Sequence, residues 1–329
     1  MITTIKRQLL ILLLFTGICN TLLAQQDYPY PVHYINLAVE KQVVKMAYMY
    51  ATPTAPYINT IMLFHGKNFN GYYWKDVAAH LVSLGYRVII PDQLGWGRSD
   101  KPDIHYSFHA LAANNKALLD SLHIDHVIIL GHSMGGMLAS RFALMYPAMV
   151  SKLILEDPIG LEDYRTFVPY TPLAKLYQSE LAATYDSYKK YMQSYFPQWR
   201  PEYEELVNQQ AAALHDPAFT QIAWANALTY QMIYEQPVCY EFKELRMPTL
   251  LITGQADRTI VGKDKVPEEL LPLHGQYPQL GKAFHAQVTN SRLAQLPGIG
   301  HIPHIQQLSS FTKEVDDFCS RNKTLNVYK

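Results

Sequence analysis

Gly131-His132-Ser133-Met134-Gly135 has the form G-x-S-x-G and lies between an apolar run, residues 126–130, and a stretch with helical character. A serine on so tight a strand-to-helix turn sits in a strained backbone conformation. Glycines two residues to either side avoid collisions with the neighbouring strand and helix. The hydroxyl is thereby lifted into the open, where a nucleophile must be. The competing reading is a glycine turn around a structural serine, against which the flanking strand and helix weigh. A serine hydroxyl at neutral pH is a poor nucleophile, so it needs a base within hydrogen-bond reach and an acid that fixes the tautomer of the base. Gly254-Gln255-Ala256-Asp257 and Gly300-His301-Ile302-Pro303 each follow an apolar run, in the chain order serine, acid, histidine. Asp257 and His301 are therefore the expected partners of Ser133.

Each has rivals. Asp92 and Asp157 also end apolar runs and Asp264 follows Asp257 closely; capping a turn or helix is the expected role of all three. His304 competes with His301, and replacing His304 is expected to be mild for turnover. The two also form an H-x-x-H pair, but no H-E-x-x-H is present and no Cys or further His stands nearby at ligand spacing, so no metal is expected. No other cofactor is expected. Acyl transfer also requires donors for the oxyanion: the backbone amide of Met134 at a helix start, and that of Lys67, which follows His65-Gly66. His65 is expected to brace that loop.

These residues must be held by an α/β framework. Short apolar runs at residues 61–64, 87–90, 126–130 and 153–157 alternate with helical stretches, after a pair of edge strands within residues 35–49. That rhythm is the mark of a mostly parallel sheet with helices on both faces. It stops over residues 161–246, which are helical, rich in Tyr, Ala, Gln and Glu, and broken by prolines; they read as an inserted cap. Strand character returns at residues 249–252 and 292–296, and a last helix spans about 308–321. The expected division is a signal peptide at 1–24, core at 25–160, helical cap at 161–246, and core again at 247–329.

Composition is that of a globular protein, 49% hydrophobic with 28 basic and 28 acidic side chains. Neutral balance without a basic run argues against nucleic acid as a partner. Lys6 and Arg7, an apolar stretch of roughly ten residues and Ala24 before Gln25 read as an export signal; that stretch is too short to span a membrane. A mature periplasmic or extracellular chain without a stable membrane anchor is expected. Ile18 before Cys19 argues against lipidation. Cys239 and Cys319 leave two alternatives, one disulfide or two separate buried thiols, and the second is expected because they lie about eighty residues apart and nothing in the sequence places them within bridging distance.

With these motifs in view, the chain resembles the cap-bearing branch of the α/β-hydrolase superfamily. The resemblance rests on His65-Gly66 with Trp74 downstream, the run from Pro91 to Ser99, the stretch from Gly131 to Gly136, Asp257, and Gly300-His301. It implies the triad Ser133, Asp257 and His301, and an oxyanion hole from the amides of Lys67 and Met134. Dehalogenases and epoxide hydrolases of that branch use an aspartate nucleophile, so Ser133 disfavours those activities. The expected function is cleavage of a small apolar carboxylic ester through an acyl-enzyme. The alternatives are a carbon-carbon bond hydrolase or a cofactor-free haloperoxidase with the same triad, or a ligand-binding receptor. Tyr164, Phe167, Tyr170, Tyr177, Trp199, Trp224, Tyr230 and Tyr234 make the expected cap aromatic, which favours apolar acyl or aryl groups in a small-molecule substrate. The long stretch between Asp257 and His301 is expected to add a helix near the mouth of the pocket.

Overall fold

The computed structural model describes residues 28–320; the expected signal segment, Cys19 and the last nine residues lie outside them. Eight strands form one sheet: β1 (Val32–Val39), β2 (Gln42–Ala51), β3 (Asn59–Phe64), β4 (Tyr86–Pro91), β5 (Val127–His132), β6 (Val150–Glu156), β7 (Thr249–Gly254) and β8 (Ser291–Leu296). Their order is β1-β2-β4-β3-β5-β6-β7-β8. β1 and β2 form an antiparallel hairpin, β2 runs antiparallel to β4, and every pairing from β4 to β8 is parallel. The central strands are near-continuous apolar runs because both faces of a parallel sheet are covered by helices; β4, β5 and β7 are buried along their whole length.

Alternation along β5 shows how the two faces divide. Val127 and Ile129 join one apolar cluster, with Phe108, Leu111, Leu118, Phe142 and Phe284. Ile128 and Leu130 join the other, with Trp74, Val77, Leu81, Phe311 and Val315. The first cluster is built by α2 (Phe108–Ser121), α3 (Met134–Met145) and α8 (Tyr277–Gln287), the second by α1 (Lys75–Ser83) and α10 (Leu308–Ser320). Ser107 caps α2, its hydroxyl accepting the Ala110 N–H at 3.0 Å.

Between β6 and β7 the chain forms α4 (Leu173–Leu181), α5 (Tyr185–Gln193), α6 (Glu204–Ala211) and α7 (Phe219–Glu235), joined by short 3-10 turns and without a strand. α4 packs on α7 and α5 on α6. The insertion meets the core through ion pairs of Lys67 with Glu180 and Lys75 with Glu205, and through Trp224, whose Nε1 donates to Asp103 at 2.7 Å. After His301, the single turn α9 (Pro303–Gln306) leads into α10.

The long stretch between Asp257 and His301 differs from the expectation. Its helix, α8, is the ordinary crossover between β7 and β8 and packs on both strands. The added length lies before that helix, in two short 3-10 turns spanning Lys263–Lys265 and Glu268–Leu273. Beyond them His274 stacks on Phe167 with ring centroids 3.6 Å apart and pairs with Glu162. Cys239 and Cys319 are separate thiols.

Candidate active site

Ser133 stands between the end of β5 and the start of α3 at φ 56 and ψ −120, a conformation that costs an L-residue about 1–3 kcal/mol and persists only where its surroundings impose it. Its N–H donates to the Glu156 carbonyl at 3.1 Å, and its own carbonyl accepts the Gly136 N–H at 2.8 Å. The flanking glycines are required by close approach. A Cβ on Gly131 would lie 2.1 Å from the Gly135 carbonyl oxygen, and one on Gly135 would lie 2.2 Å from that of Phe64. The motif thus lets α3 cross β5 and β3 closely enough to present the hydroxyl.

The structure brings Ser133, His301 and Asp257 together. Ser133 Oγ lies 2.9 Å from His301 Nε2, and His301 Nδ1 lies 2.7 Å from Asp257 Oδ2. A carboxylate oxygen accepts, so Nδ1 carries the ring proton and Nε2 presents a lone pair to the serine hydroxyl. The other oxygen of Asp257 accepts the Thr259 N–H at 2.8 Å. Ser133 is 5% exposed, and Asp257 and His301 are buried. Met134 opens α3, where its amide has no intrahelical acceptor. Gly66 packs on the serine: a Cβ there would lie 3.1 Å from that of Ser133. Lys67 therefore follows directly from a residue in contact with Ser133, and its ammonium turns to Asn68 and Glu180.

The rival residues have other partners. Asp92 accepts from the amides of Gly71 and Arg98, both at 2.7 Å, and from the Tyr28 hydroxyl at 2.6 Å, which is turn capping. Asp157 does not fit the capping role expected of it. Fully buried at the end of β6, it accepts the Gly254 N–H on both oxygens at 3.0 Å and hydrogen-bonds to the side chain of Asp257. Burial, and then the neighbouring Asp257 charge, hold its pKa well above the ordinary carboxyl value. His65 braces the loop, its Nε2 accepting the Gln93 N–H at 3.0 Å and its Nδ1 donating to the Gly66 carbonyl at 2.9 Å. His304 pairs with Glu156 at 2.9 Å, so the two histidines serve separate carboxylates. Both members of that pair are buried, and Glu156 Oε1 also accepts the backbone N–H of His304 at 2.8 Å. The expected mild effect on turnover is compatible with this separate, structural partner.

Most aromatics of the insertion pack among themselves. Tyr177 meets Trp224 edge-on, Trp199 meets Phe196 and Tyr203, and Tyr170 meets Tyr234. Tyr195, which no sequence pattern singles out, is the one that reaches His301. Its ring centroid is 4.6 Å from that of His301, and its carbonyl accepts the His301 N–H at 2.8 Å. Two clefts of about 350 and 190 Å³ open at the margins of the insertion, beside Trp224 and Tyr203 respectively, and neither is lined by Ser133.

Comparison with known proteins bears on the fold. A family model described as the alpha/beta hydrolase fold matches residues 59–305. An uncharacterised protein of Mycobacterium tuberculosis is 45% identical over 101 residues, but the match covers only 31% of this chain and 29% of that protein. A 2-hydroxy-6-oxononadienedioate/2-hydroxy-6-oxononatrienedioate hydrolase of Paraburkholderia xenovorans is 29% identical over 270 residues, covering 79% of this chain and 86% of that one. The crystal structure of a probable hydrolytic enzyme from Pseudomonas aeruginosa PAO1 superimposes with a TM-score of 0.87 at 41% identity, covering 89% of this chain and 95% of that one. The sheet order, the strained serine after β5 and the matched span lead to one family: this chain belongs to the α/β-hydrolase fold.

Proposed function

We propose that the protein is an exported serine hydrolase that cleaves a small apolar carboxylic ester. The observation that carries this reading is the unbroken line from Ser133 Oγ through His301 to Asp257, with contacts of 2.9 and 2.7 Å. In the first half-reaction His301 Nε2 takes the hydroxyl proton as Ser133 attacks the acyl carbon. The amides of Lys67 and Met134 receive the oxyanion. Asp257 holds the imidazolium, which then protonates the leaving alcohol. Water repeats the sequence against the acyl-enzyme and restores the serine. Export rests on the basic start, short apolar stretch and Ala24 of the sequence, and predicts a mature chain beginning near Gln25. Intact-mass measurement on protein from its native host tests that part.

The test of the chemistry is pre-steady-state hydrolysis of p-nitrophenyl butyrate, with Ser133→Ala as control. An acyl-enzyme gives a burst of p-nitrophenol followed by steady turnover when deacylation is slower. Turnover unchanged in Ser133→Ala would refute the reading, and a single turnover without release would favour a receptor. Carbon-carbon bond hydrolysis is the second reading, favoured by the extent of the match to the Paraburkholderia xenovorans hydrolase. A screen across ester, lactone and vinylogous diketone substrates separates the two.

A further inference from the structure

We propose that Tyr73 and His132 are positioning residues, forming a chain of three hydrogen bonds that ties the oxyanion loop at Gly66 to the backbone of His301. The inference rests on the serine-hydrolase reading and adds to it two residues that the triad and its amides do not include.

The distances are 2.9 Å from Gly66 N to Tyr73 Oη, 3.1 Å from Tyr73 Oη to His132 Nδ1, and 2.7 Å from His132 Nε2 to the His301 carbonyl oxygen. The two ends of the chain fix every proton in it. A backbone amide can only donate, so Tyr73 Oη accepts from Gly66. A carbonyl oxygen can only accept, so His132 Nε2 carries a proton and donates to His301. The neutral ring then leaves Nδ1 as a lone pair, and the phenol proton of Tyr73 completes the chain by donating to it. Burial supports the neutral forms, lowering the His132 pKa well below its ordinary value and raising that of Tyr73. A neutral His132 also adds no opposing charge when His301, 5.0 Å away between ring centroids, becomes an imidazolium in turnover.

The chain links the two parts that must act on one tetrahedral carbon from opposite sides. Gly66 precedes the Lys67 amide, and His301 is the base. His132 directly precedes Ser133, so the nucleophile lies beside the connection. Tyr73 is held in turn by Phe69, stacked on it at 4.7 Å and 8°, and both Tyr73 and His132 are buried. Tight packing leaves the connection little slack: a Cβ on Gly66 would lie 3.0 Å from His132 Nδ1. A displacement of the oxyanion loop is therefore felt at His301.

Tyr73→Phe removes one hydroxyl and keeps the ring. With p-nitrophenyl butyrate, kcat is expected to fall about tenfold to a hundredfold, the scale of a misplaced donor or base, while KM changes less than twofold. Affinity for 1-butaneboronic acid, whose tetrahedral adduct on the serine engages both the oxyanion donors and the histidine, should fall in parallel. His132→Gln is expected to do the same, and the double variant should be no worse than the poorer single one, because both break one chain. A role confined to folding would lower Tm and leave kcat and boronate affinity within twofold, overturning the proposal. Fully additive losses in the double variant would also overturn it. If Tyr73→Phe fails to fold, His132→Gln provides the same kcat and boronate readouts. Retained turnover in Ser133→Ala, measured in the same series, would instead sink the serine-hydrolase reading and this inference with it.

Discussion

Asp157→Asn is predicted to leave turnover intact and to stabilise the fold increasingly as pH rises from about 4 to 6, whereas Asp257→Asn should abolish most activity. Asp157 is fully buried, hydrogen-bonded to Asp257, and held by the Gly254 amide on both oxygens. Burial and the Asp257 charge raise its pKa in the folded state well above 3.8. The sign follows directly. Above pH 3.8 the unfolded chain releases this proton while the folded chain keeps it, so unfolding gains favour as pH rises, until the folded-state pKa is passed. The limiting slope is about 1.4 kcal/mol per pH unit for one proton. For a chain of this size that is about 2 °C in Tm per pH unit. Asparagine cannot ionise, and its amide reproduces both contacts, the oxygen accepting from Gly254 and the NH2 donating to Asp257. Calorimetric melts of the two proteins in parallel between pH 4 and 6, with kcat at pH 7, measure the effect. Melting curves that stay parallel across that range, or loss of turnover in Asp157→Asn, would show that Asp157 gives up its proton and that the assignment of roles between the two carboxyls is wrong.

Ser133→Ala and His301→Ala should each remove nearly all turnover with little change in Tm, and the double variant should be no worse, because the triad acts as a unit. His304→Ala should cost about 1–3 kcal/mol of stability by removing the ring donor to buried Glu156, which keeps the backbone N–H of residue 304, read as a lower midpoint in urea; an unchanged midpoint would mean that the ring contact adds nothing to stability. Gly135→Ala places a Cβ 2.2 Å from the Phe64 carbonyl oxygen and should yield insoluble or inactive protein; a soluble, active variant would show that α3 can lift away from β3. Along p-nitrophenyl esters from acetate towards decanoate, kcat/KM should rise roughly tenfold for every two methylenes until the pocket is full, at about 0.8 kcal/mol each. A flat profile would mean that the aromatics of the insertion serve packing alone.

The parts of the molecule legible in the sequence are those that repeat locally or obey a chain order. Ile61 to Phe64 and Val127 to Leu130 read as strands because both faces of the sheet are covered, leaving no polar residue to interrupt them. Gly131 and Gly135 are informative because a helix crossing a strand at that distance has no room for a Cβ. The order of Ser133, Asp257 and His301 follows from which strand each one ends. Tyr73, Asp157 and Tyr195 leave no such signal. Each meets the site through a partner far away in the chain, and a tyrosine within an insertion full of tyrosines has nothing to distinguish it. Asp157 looks like any aspartate after a strand, since only the approach of β7 to β6 places Asp257 beside it. The misplaced helix has the same origin: chain length shows that residues were added after Asp257, but not which segment of them crosses back to the sheet.

The wide spacing of Ser133, Asp257 and His301 along the chain has a consequence for folding. Ser133 and His301 are 168 residues apart, and Asp257 and His301 are 44 apart. Contacts of such sequence separation close late, because each requires a large loop to be ordered first. A chain that has assembled only as far as β6 already holds Ser133 in the strained turn but has neither Asp257 nor His301 beside it. Hydrolytic activity during refolding should therefore appear only with the docking of β7 and β8, after most helical signal has returned. In a refolding experiment, turnover would time the arrival of the chain from β7 onwards, while circular dichroism would time the rest.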